Sequence, residues 1–332
     1  MKTVLITGAT GSVCMNLTEL LLKKGQRVVM YARHPLSTED EQELRQLPGE
    51  LIFEKGDVLD VEVLDAAVKK YGVTCIYHGA AMTPNADIER QQGKRILEVN
   101  VLGVVNALDI AQKNNISRFI YMGSVSGYGN TCFEGKPLIE GVSVAKPNSL
   151  YELSKFTAER VVIRYRQLFA MKAYVARIGD VFGPWEHYTG VRPFMSFPYQ
   201  TTAYAMEGKQ IHLPRPCRQD WVYSRDIAES LYALMEAPNL KYDVYPLCSG
   251  YIWPLTDWCD LLKKKYPCFD YDIADKPENA TIRVNQTVDN APMSTERLVE
   301  DTGYVPKYDL EKAFKDYMDW LEAHPGYLFR EK

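Results

Sequence analysis

The chain of 332 residues carries 39 Lys and Arg against 43 Asp and Glu, a net charge of −4, with 46% hydrophobic and 11% aromatic positions. That balance is the one of a globular protein with ample chain for a large core, and without a dense Lys/Arg block it gives no basic face for nucleic acid. No run approaches the ~20 apolar residues of a membrane helix, and the apolar stretch in residues 1–7 is too short for a signal peptide, so membrane, fibrous and disordered roles are excluded.

Residues 3–7, 27–31, 51–54, 74–77, 118–122 and 173–177 are short runs dense in Val, Ile and Tyr that lack polar alternation. They predict strands buried on both faces. Segments 17–24, 60–70, 95–113 and 151–168, lying between strands, have helical texture, and the alternation predicts βαβ units and a parallel sheet. From Gly183 onward Pro184, Pro193, Pro198, Pro214 and Pro216 punctuate loops, which reads as a cap on the sheet. A helix at 225–236, a strand at 243–247 and helices near 255–265, 294–301 and 310–321 complete the expected elements. Seven cysteines and five histidines are scattered, with no C-x-x-C pair and no zinc-ligand spacing. This pattern fits free thiols in a reducing cytoplasm and predicts no metal site.

Thr7-Gly8-Ala9-Thr10-Gly11-Ser12-Val13-Cys14 joins the first strand to the first helix. Gly8 permits the tight turn and Gly11 lets a pyrophosphate approach the helix N-terminus. Cys14 stands where a third small residue normally allows close helix–strand packing, a departure from the pattern. A Gly-x-x-Gly is also compatible with a plain turn, but here it follows a strand and opens an amphipathic helix, the context a dinucleotide site requires. The second strand ends in Ala32-Arg33-His34 instead of the acid that usually binds the adenosine ribose. Arg33 suits a 2′-phosphate, so NADP(H) is preferred over NAD, the alternative being a solvated arginine. Asp57-Val58 follows the third strand, where the acid can meet the adenine amino group, cap the helix at 60–70, or do both.

Tyr151 and Lys155 lie one turn apart on one helix face. A tyrosine with its ordinary pKa of about 10 is a poor base at neutral pH; a neighbouring ammonium favours the phenolate and makes Tyr151 a general acid/base. Tyr308 and Lys312 have the same spacing, so context decides. Ser124 follows the fifth strand, at the carboxyl edge where ligands of such sheets sit, and can hydrogen-bond the reacting oxygen. Asn100 is an amide in an otherwise apolar helix and needs partners; a relay toward Lys155 is the expected use.

Taken together, these motifs resemble an extended short-chain dehydrogenase/reductase of the NAD(P)-dependent epimerase/dehydratase group. The resemblance covers nearly the whole chain. It rests on the Gly8/Gly11 loop, Asp57-Val58, His78-Gly79-Ala80-Ala81, Asn100, Ser124, Tyr151/Lys155, Arg177 through Pro184, and Gln219 through Asp226. The stretch from Met293-Ser294-Thr295 to Trp320 also fits. It implies an α/β fold with a doubly wound, seven-stranded Rossmann sheet and a smaller C-terminal α/β substrate region. Residues 1–182 with 219–249 would bind the cofactor, and 183–218 with 250–332 the substrate. Around the cofactor it places Gly8, Thr10, Gly11, Ser12, Val13, Ala80, Ala81, Ile178 and Val181, besides Arg33, Asp57, Val58, Tyr151 and Lys155. Ser124, Tyr151, Lys155 and Asn100 form the implied catalytic group, and the helices carrying Asn100 and Tyr151 the implied homodimer interface.

Departures from that group narrow the substrate. Related sugar-nucleotide dehydratases have Thr-Asp-Glu where this chain has Ser124-Val125-Ser126, so the acid and base that eliminate water are missing. Related epimerases hold the substrate diphosphate with an Asn and an Arg where this chain has Asp180 and Gln219. A carboxylate repels a diphosphate, and a neutral amide replaces a cation. The expected activity is hydride transfer to or from a hydroxyl or carbonyl carbon of a small sugar-like or hydroxy-acid substrate. Ser126 and Asp180 would line its site, with Arg192, Arg215 or Arg218 as the cation for a carboxylate or single phosphate. Trp185, Tyr188 and Phe194 would lie near its mouth. A nucleotide-sugar epimerase with tightly held NAD is the alternative; a non-catalytic nucleotide sensor would not need Ser124, Tyr151 and Lys155 together.

Overall fold

The computed structural model describes residues 2–188, 194–283 and 288–329. The chain opens with β1 (Thr3–Thr7), α1 (Ser12–Lys23), β2 (Arg27–Ala32), α2 (Thr38–Arg45), β3 (Glu50–Lys55), α3 (Val61–Tyr71) and β4 (Cys75–His78). It continues with α4 (Ala86–Leu97), a π-helical segment Glu98–Leu102, α5 (Gly103–Lys113), β5 (Arg118–Ser124), α6 (Leu150–Phe169), β6 (Ala173–Ile178) and β7 (Asp180–Phe182). Next come α7 (Phe197–Met206), β8 (Gln210–Leu213), β9 (Arg218–Gln219), β10 (Trp221–Tyr223), α8 (Ser224–Glu236) and β11 (Val244–Leu247). The last elements are β12 (Trp253–Pro254), α9 (Leu255–Lys265), β13 (Asp270–Ile273), α10 (Glu296–Thr302) and α11 (Leu310–Ala323).

Seven strands form one parallel sheet in the order β11-β6-β5-β4-β1-β2-β3. Successive side chains of a strand point to opposite faces, and here both faces are dry. Val4 and Ile6 enter one apolar cluster and Leu5 the other; Val28 and Met30 oppose Val29 and Tyr31 in the same way. This is why the strands read as unbroken apolar runs. Strand order reverses between β1 and β4, where Thr7 pairs with His78. The loops leaving these two strands therefore part and open a crevice. Three two-stranded pairs, β7 with β10, β9 with β12 and β8 with β13, build the region outside the carboxyl edge of the sheet.

The elements differ from expectation where amphipathicity is weak. Helix α1 starts at Ser12, directly after Gly11, not at 17. Helix α2 was not expected; it buries only Asp40 and Leu44 and so has no apolar stripe to read. The segment expected as one helix from 95 begins at Ala86, capped by the Asn85 side chain, and reaches α5 through the π-helical turn. Only Ile96 is buried in α4, and Gln92 breaks its helical geometry at φ −129°.

Candidate active site

The crevice is a cavity of about 1030 Å³, walled by the loops after β1, β2, β4 and β5, the start of α6, β7 and the segment around Phe197. At one end the Gly8 loop meets the loop after β4 so closely that a Cβ on Gly8 would lie 2.6 Å from the Ala80 Cα. Gly8 also has a φ of +65°, which favours glycine. Gly11 is the N-cap of α1 and offers no side-chain acceptor to the first N–H groups of the helix. Those donors, flanked by Ser12 and Val13 on the cavity wall, suit a pyrophosphate. The residues present thus fit a dinucleotide.

At the third small position of the loop, Cys14 is buried with its Sγ 3.8 Å from the Thr7 carbonyl oxygen and 3.7 Å from Met122 Sδ. The thiol fits because residue 79 is glycine: a Cβ there would lie 2.5 Å from Cys14 Sγ. Burial pushes the thiol's pKa up to about 12, so it stays protonated. Arg33 and His34 are exposed at the end of β2 and line the cavity. Asp57 lines it too, but its carboxylate accepts the Leu59 N–H at 3.0 Å and pairs with Arg95 at 2.7 Å. The helix cap expected of Asp57 belongs instead to Asp60, which accepts the Val63 N–H at 3.1 Å. Two aspartates so near in sequence are told apart only by where the chain turns.

Ser124, Tyr151 and Lys155 come together on the wall of this cavity. Helix α6 is started by Ser149 and Glu152 in a reciprocal capping box, which puts Tyr151 in the first turn. The Glu89 carboxylate of α4 also accepts the Tyr151 backbone N–H at 3.1 Å. One turn on, Lys155 is buried and donates to the Met122 carbonyl oxygen at 2.7 Å, two residues before Ser124 on β5. Its ammonium lies 4.7 Å from the centre of the Tyr121 ring. Burial lowers the Lys155 pKa to about 8, opposed by neighbouring Cys14 and Glu159. The Ser124 Oγ accepts the Ser126 N–H at 3.2 Å, which leaves its own O–H to donate.

A further turn along α6, buried Glu159 takes Nε and Nη2 of Arg177 at 3.0 and 2.6 Å. Arg177 also pairs with Glu140, which accepts from the Tyr128 hydroxyl at 2.7 Å. A single guanidinium so ties α6 to β6 and to the loop that follows Ser124. Arg177 is visible in the sequence only as part of a motif, and no local pattern there reveals this brace.

Asn100 is placed differently from the expected relay. Its Oδ1 accepts the Met82 N–H at 2.7 Å, and its Nδ2 donates to the Met82 carbonyl and the Ser154 hydroxyl, both at 2.9 Å. It fixes the loop after β4 against α6, beside Lys155 but without a hydrogen bond to it, and it is not among the residues lining the cavity. Val58, Ala80, Ala81, Ile178, Val181, Thr10, Ser126 and Asp180 do line it. Arg218 is exposed and absent from the lining, its backbone N–H bound to Asp289; Arg215 pairs with the same aspartate. Arg192 lies outside the described residues. Trp185 is wholly buried against Trp320 and gives its indole N–H to Glu19 at 2.6 Å, a packing role. Tyr188 is exposed and absent from the lining, whereas Phe194 is part of it.

The family model for the NAD dependent epimerase/dehydratase family matches residues 4–248. The chain belongs to this family. It is accordingly an extended short-chain dehydrogenase/reductase enzyme. UDP-glucuronate 4-epimerase 1 of Arabidopsis thaliana is 24% identical over 99% of this chain and 79% of its own. UDP-glucose 4-epimerase of Thermotoga maritima, solved with UDP-glucose, superposes with a TM-score of 0.80 at 19% identity, covering 97% of this chain and 99% of that one. UDP-glucuronic acid 4-epimerase of Bacillus cereus, solved with NAD, gives 0.77 at 19% identity over 99% and 100%. Similarity at this level fixes the fold of a family member and leaves its substrate to the residues of the cavity.

Proposed function

We propose that the protein is an NADP(H)-dependent dehydrogenase or reductase of a small polar hydroxyl or carbonyl compound, such as a free sugar or sugar acid. One observation carries this reading. The wall of the cavity supplied by β7, β10, the segment around Phe197 and Asn290 presents carboxylates, Asp180 bound to the Asn290 amide and Glu186 bound to Ser196, where a diphosphate would call for cations. Such a wall disfavours a diphosphate. At the other end, Arg33 has no ion-pair partner among the described residues, and no carboxylate follows β2 to repel a 2′-phosphate.

When bound, the nicotinamide supplies hydride acceptance or donation. The chain's own groups handle the proton and the oxygen. Tyr151 exchanges a proton with the substrate oxygen, the Ser124 O–H holds that oxygen, and the Lys155 ammonium favours the phenolate. Asn100 positions this group through Met82 and Ser154. A second reading, interconversion of a nucleotide sugar with tightly held NAD, is favoured by the epimerase relative that matches 99% of the chain. The two readings separate on purified protein. A dehydrogenase releases its cofactor each turnover and is isolated largely empty, whereas an epimerase keeps it. Sugars, sugar acids and UDP-sugars are then assayed by absorbance of the reduced nicotinamide with each cofactor. Epimer interconversion without net reduction would overturn the proposal.

The proposed assembly is a homodimer in the cytoplasm, joined through the outer faces of α4 to α6. There Leu97, Leu102 and Leu153 are 41%, 52% and 41% exposed. Leu102→Glu with Leu153→Glu should give a monomer by light scattering.

A further inference from the structure

Helix α4 is not held in place by its apolar content: it buries Ile96 alone, and its helical geometry breaks at Gln92. The turns before that break nevertheless form part of the cavity wall, through Ala86, Asp87, Glu89 and Arg90. Just past the break, a Cβ on Gly93 would lie 3.0 Å from Leu150 Cδ1, so α4 closely approaches the start of α6. There the half-buried Glu89 carboxylate takes the Tyr151 N–H at 3.1 Å. The capping box of α6 does not use this donor. Ser149 Oγ takes the Glu152 N–H at 3.2 Å, and the Glu152 carboxylate takes the Ser149 N–H at 3.1 Å. Tyr151 sits between them, one of the first helical residues whose N–H has no partner within its own helix, and its acceptor comes from 62 residues earlier in the chain. The Tyr151 carbonyl oxygen is held as well. Ser154 Oγ donates to it at 2.7 Å and accepts in turn from Asn100 Nδ2 at 2.9 Å.

We propose that Glu89 is a positioning residue for Tyr151: with Asn100 acting through Ser154, it grips the backbone of the tyrosine at both ends, so that α4 and the π-helical turn aim the phenol. The inference rests on Tyr151 as the proton-exchanging group of the proposed reaction and adds what orients it. The phenol oxygen is the far end of a long side chain, so a small rotation of the first turn of α6 is magnified there. A misplacement of about 1 Å can cost on the order of 100-fold in rate. Lys155, one turn on, is fixed separately by the Met122 carbonyl. Glu89 therefore governs the turn that carries the phenol relative to that ammonium. A carboxylate suits the place, because the N-terminus of a helix carries partial positive charge. The pyrophosphate end of the cavity is built by the Gly8 and Gly11 loop and Ala80, so loss of the Glu89 bond should lower kcat and spare cofactor affinity.

The test separates the hydrogen bond from the charge. Glu89→Leu removes both, whereas Glu89→Gln removes the charge and keeps an amide oxygen for the Tyr151 N–H. Protein is labelled with 13C at tyrosine Cζ, the ring carbon that bears the hydroxyl, and saturated with NADP+. Tyr151→Phe then identifies the Tyr151 signal among the 22 tyrosines. The expected result is a Tyr151 signal displaced or broadened in Glu89→Leu and returned close to its parent position in Glu89→Gln, with the other tyrosine signals in place. On the hydroxy compounds that are turned over, kcat should fall about tenfold in Glu89→Leu, the equivalent of one hydrogen bond. Glu89→Gln should recover most of that loss, and NADP+ affinity should be unchanged in both. A Tyr151 signal unmoved in Glu89→Leu, or displaced equally in the two variants, overturns the proposal, as does a lowered Tm with kcat unchanged. If Glu89→Leu does not fold, Glu89→Ala takes its place against the same glutamine variant. Absence of nicotinamide turnover on every hydroxy compound would instead sink the dehydrogenase reading, and the Cζ signals alone would then decide whether Glu89 holds Tyr151.

Discussion

Replacing Lys155 with methionine should stabilise the cofactor-free protein at pH 7 while abolishing turnover. The ammonium is buried, and burial lowers its pKa from 10.5 to about 8. At about 1.36 kcal/mol per unit, the charged form costs the folded state on the order of 3 kcal/mol. The sign follows from proton linkage. The folded pKa lies below the unfolded one, so the unfolded chain holds the proton more tightly. The penalty is complete below pH 8, shrinks as pH rises from 8 to 10.5, and is gone above. Methionine removes the penalty but loses the bond to the Met122 carbonyl, worth about 1 kcal/mol. The expected balance is roughly 2 kcal/mol in favour of the variant at pH 7, a rise in Tm of about 4 °C for a chain of this size. Near pH 10.5 only the lost hydrogen bond remains, and the variant should melt below the parent. Scanning calorimetry of cofactor-stripped protein at the two pH values gives the difference, from which other titrating groups cancel. A Tm difference independent of pH would refute the buried-charge argument.

Tyr151→Phe should lower kcat by ~100-fold or more while fluorescence titration shows unchanged cofactor affinity; retained turnover would remove Tyr151 from the chemistry. Arg33→Ala should shift the ratio of NADP to NAD affinity by ~10–100-fold toward NAD, the size of a charge-assisted hydrogen bond, and an unchanged ratio would leave Arg33 a solvated side chain. Gly79→Ala places a methyl 2.5 Å from Cys14 Sγ and 2.8 Å from Met122 Sδ, an overpacking cost of about 1–3 kcal/mol. Cys14→Gly in the same chain should return much of it, because neighbours of this kind are not additive; equal Tm losses with and without Cys14 would show that the thiol is not the obstacle. Asp180→Asn alone should not create activity toward UDP-sugars, checked by product analysis after incubation.

Those effects fall on parts of the molecule that differ in how far sequence could reach them. Unbroken apolar runs mark the central strands because both faces of the sheet are dry, as the split of Val4 and Ile6 from Leu5 shows. The group of Ser124, Tyr151 and Lys155 was legible for the same reason: strand end and helix start are local features, and the sheet does the rest. Helix α4 was not, since it buries Ile96 alone and carries polar residues all round. Arg95 has the sequence context of a helix start, yet its guanidinium is the partner of Asp57, a contact that depends on where α4 lies against the loop after β3.

The hidden part of the site shares one physical property. Two departures from the family pattern, Cys14 and Asp180, are each answered by a residue far along the chain. Cys14 takes the place of a small residue in the dinucleotide loop, and Gly79 on the adjacent crossover gives up the volume the thiol needs. Asp180 takes the place of an amide, and an amide is supplied by Asn290, 110 residues away. The second exchange moves a neutral group off β7 and puts a carboxylate there, while an amide stays on the wall; on the proposed reading that wall disfavours phosphate. Read singly, either substitution looks like a defect in a motif. As a pair with Asn290, Asp180 changes what the wall can hold, and specificity within such a family can turn on that second residue, which no local pattern announces.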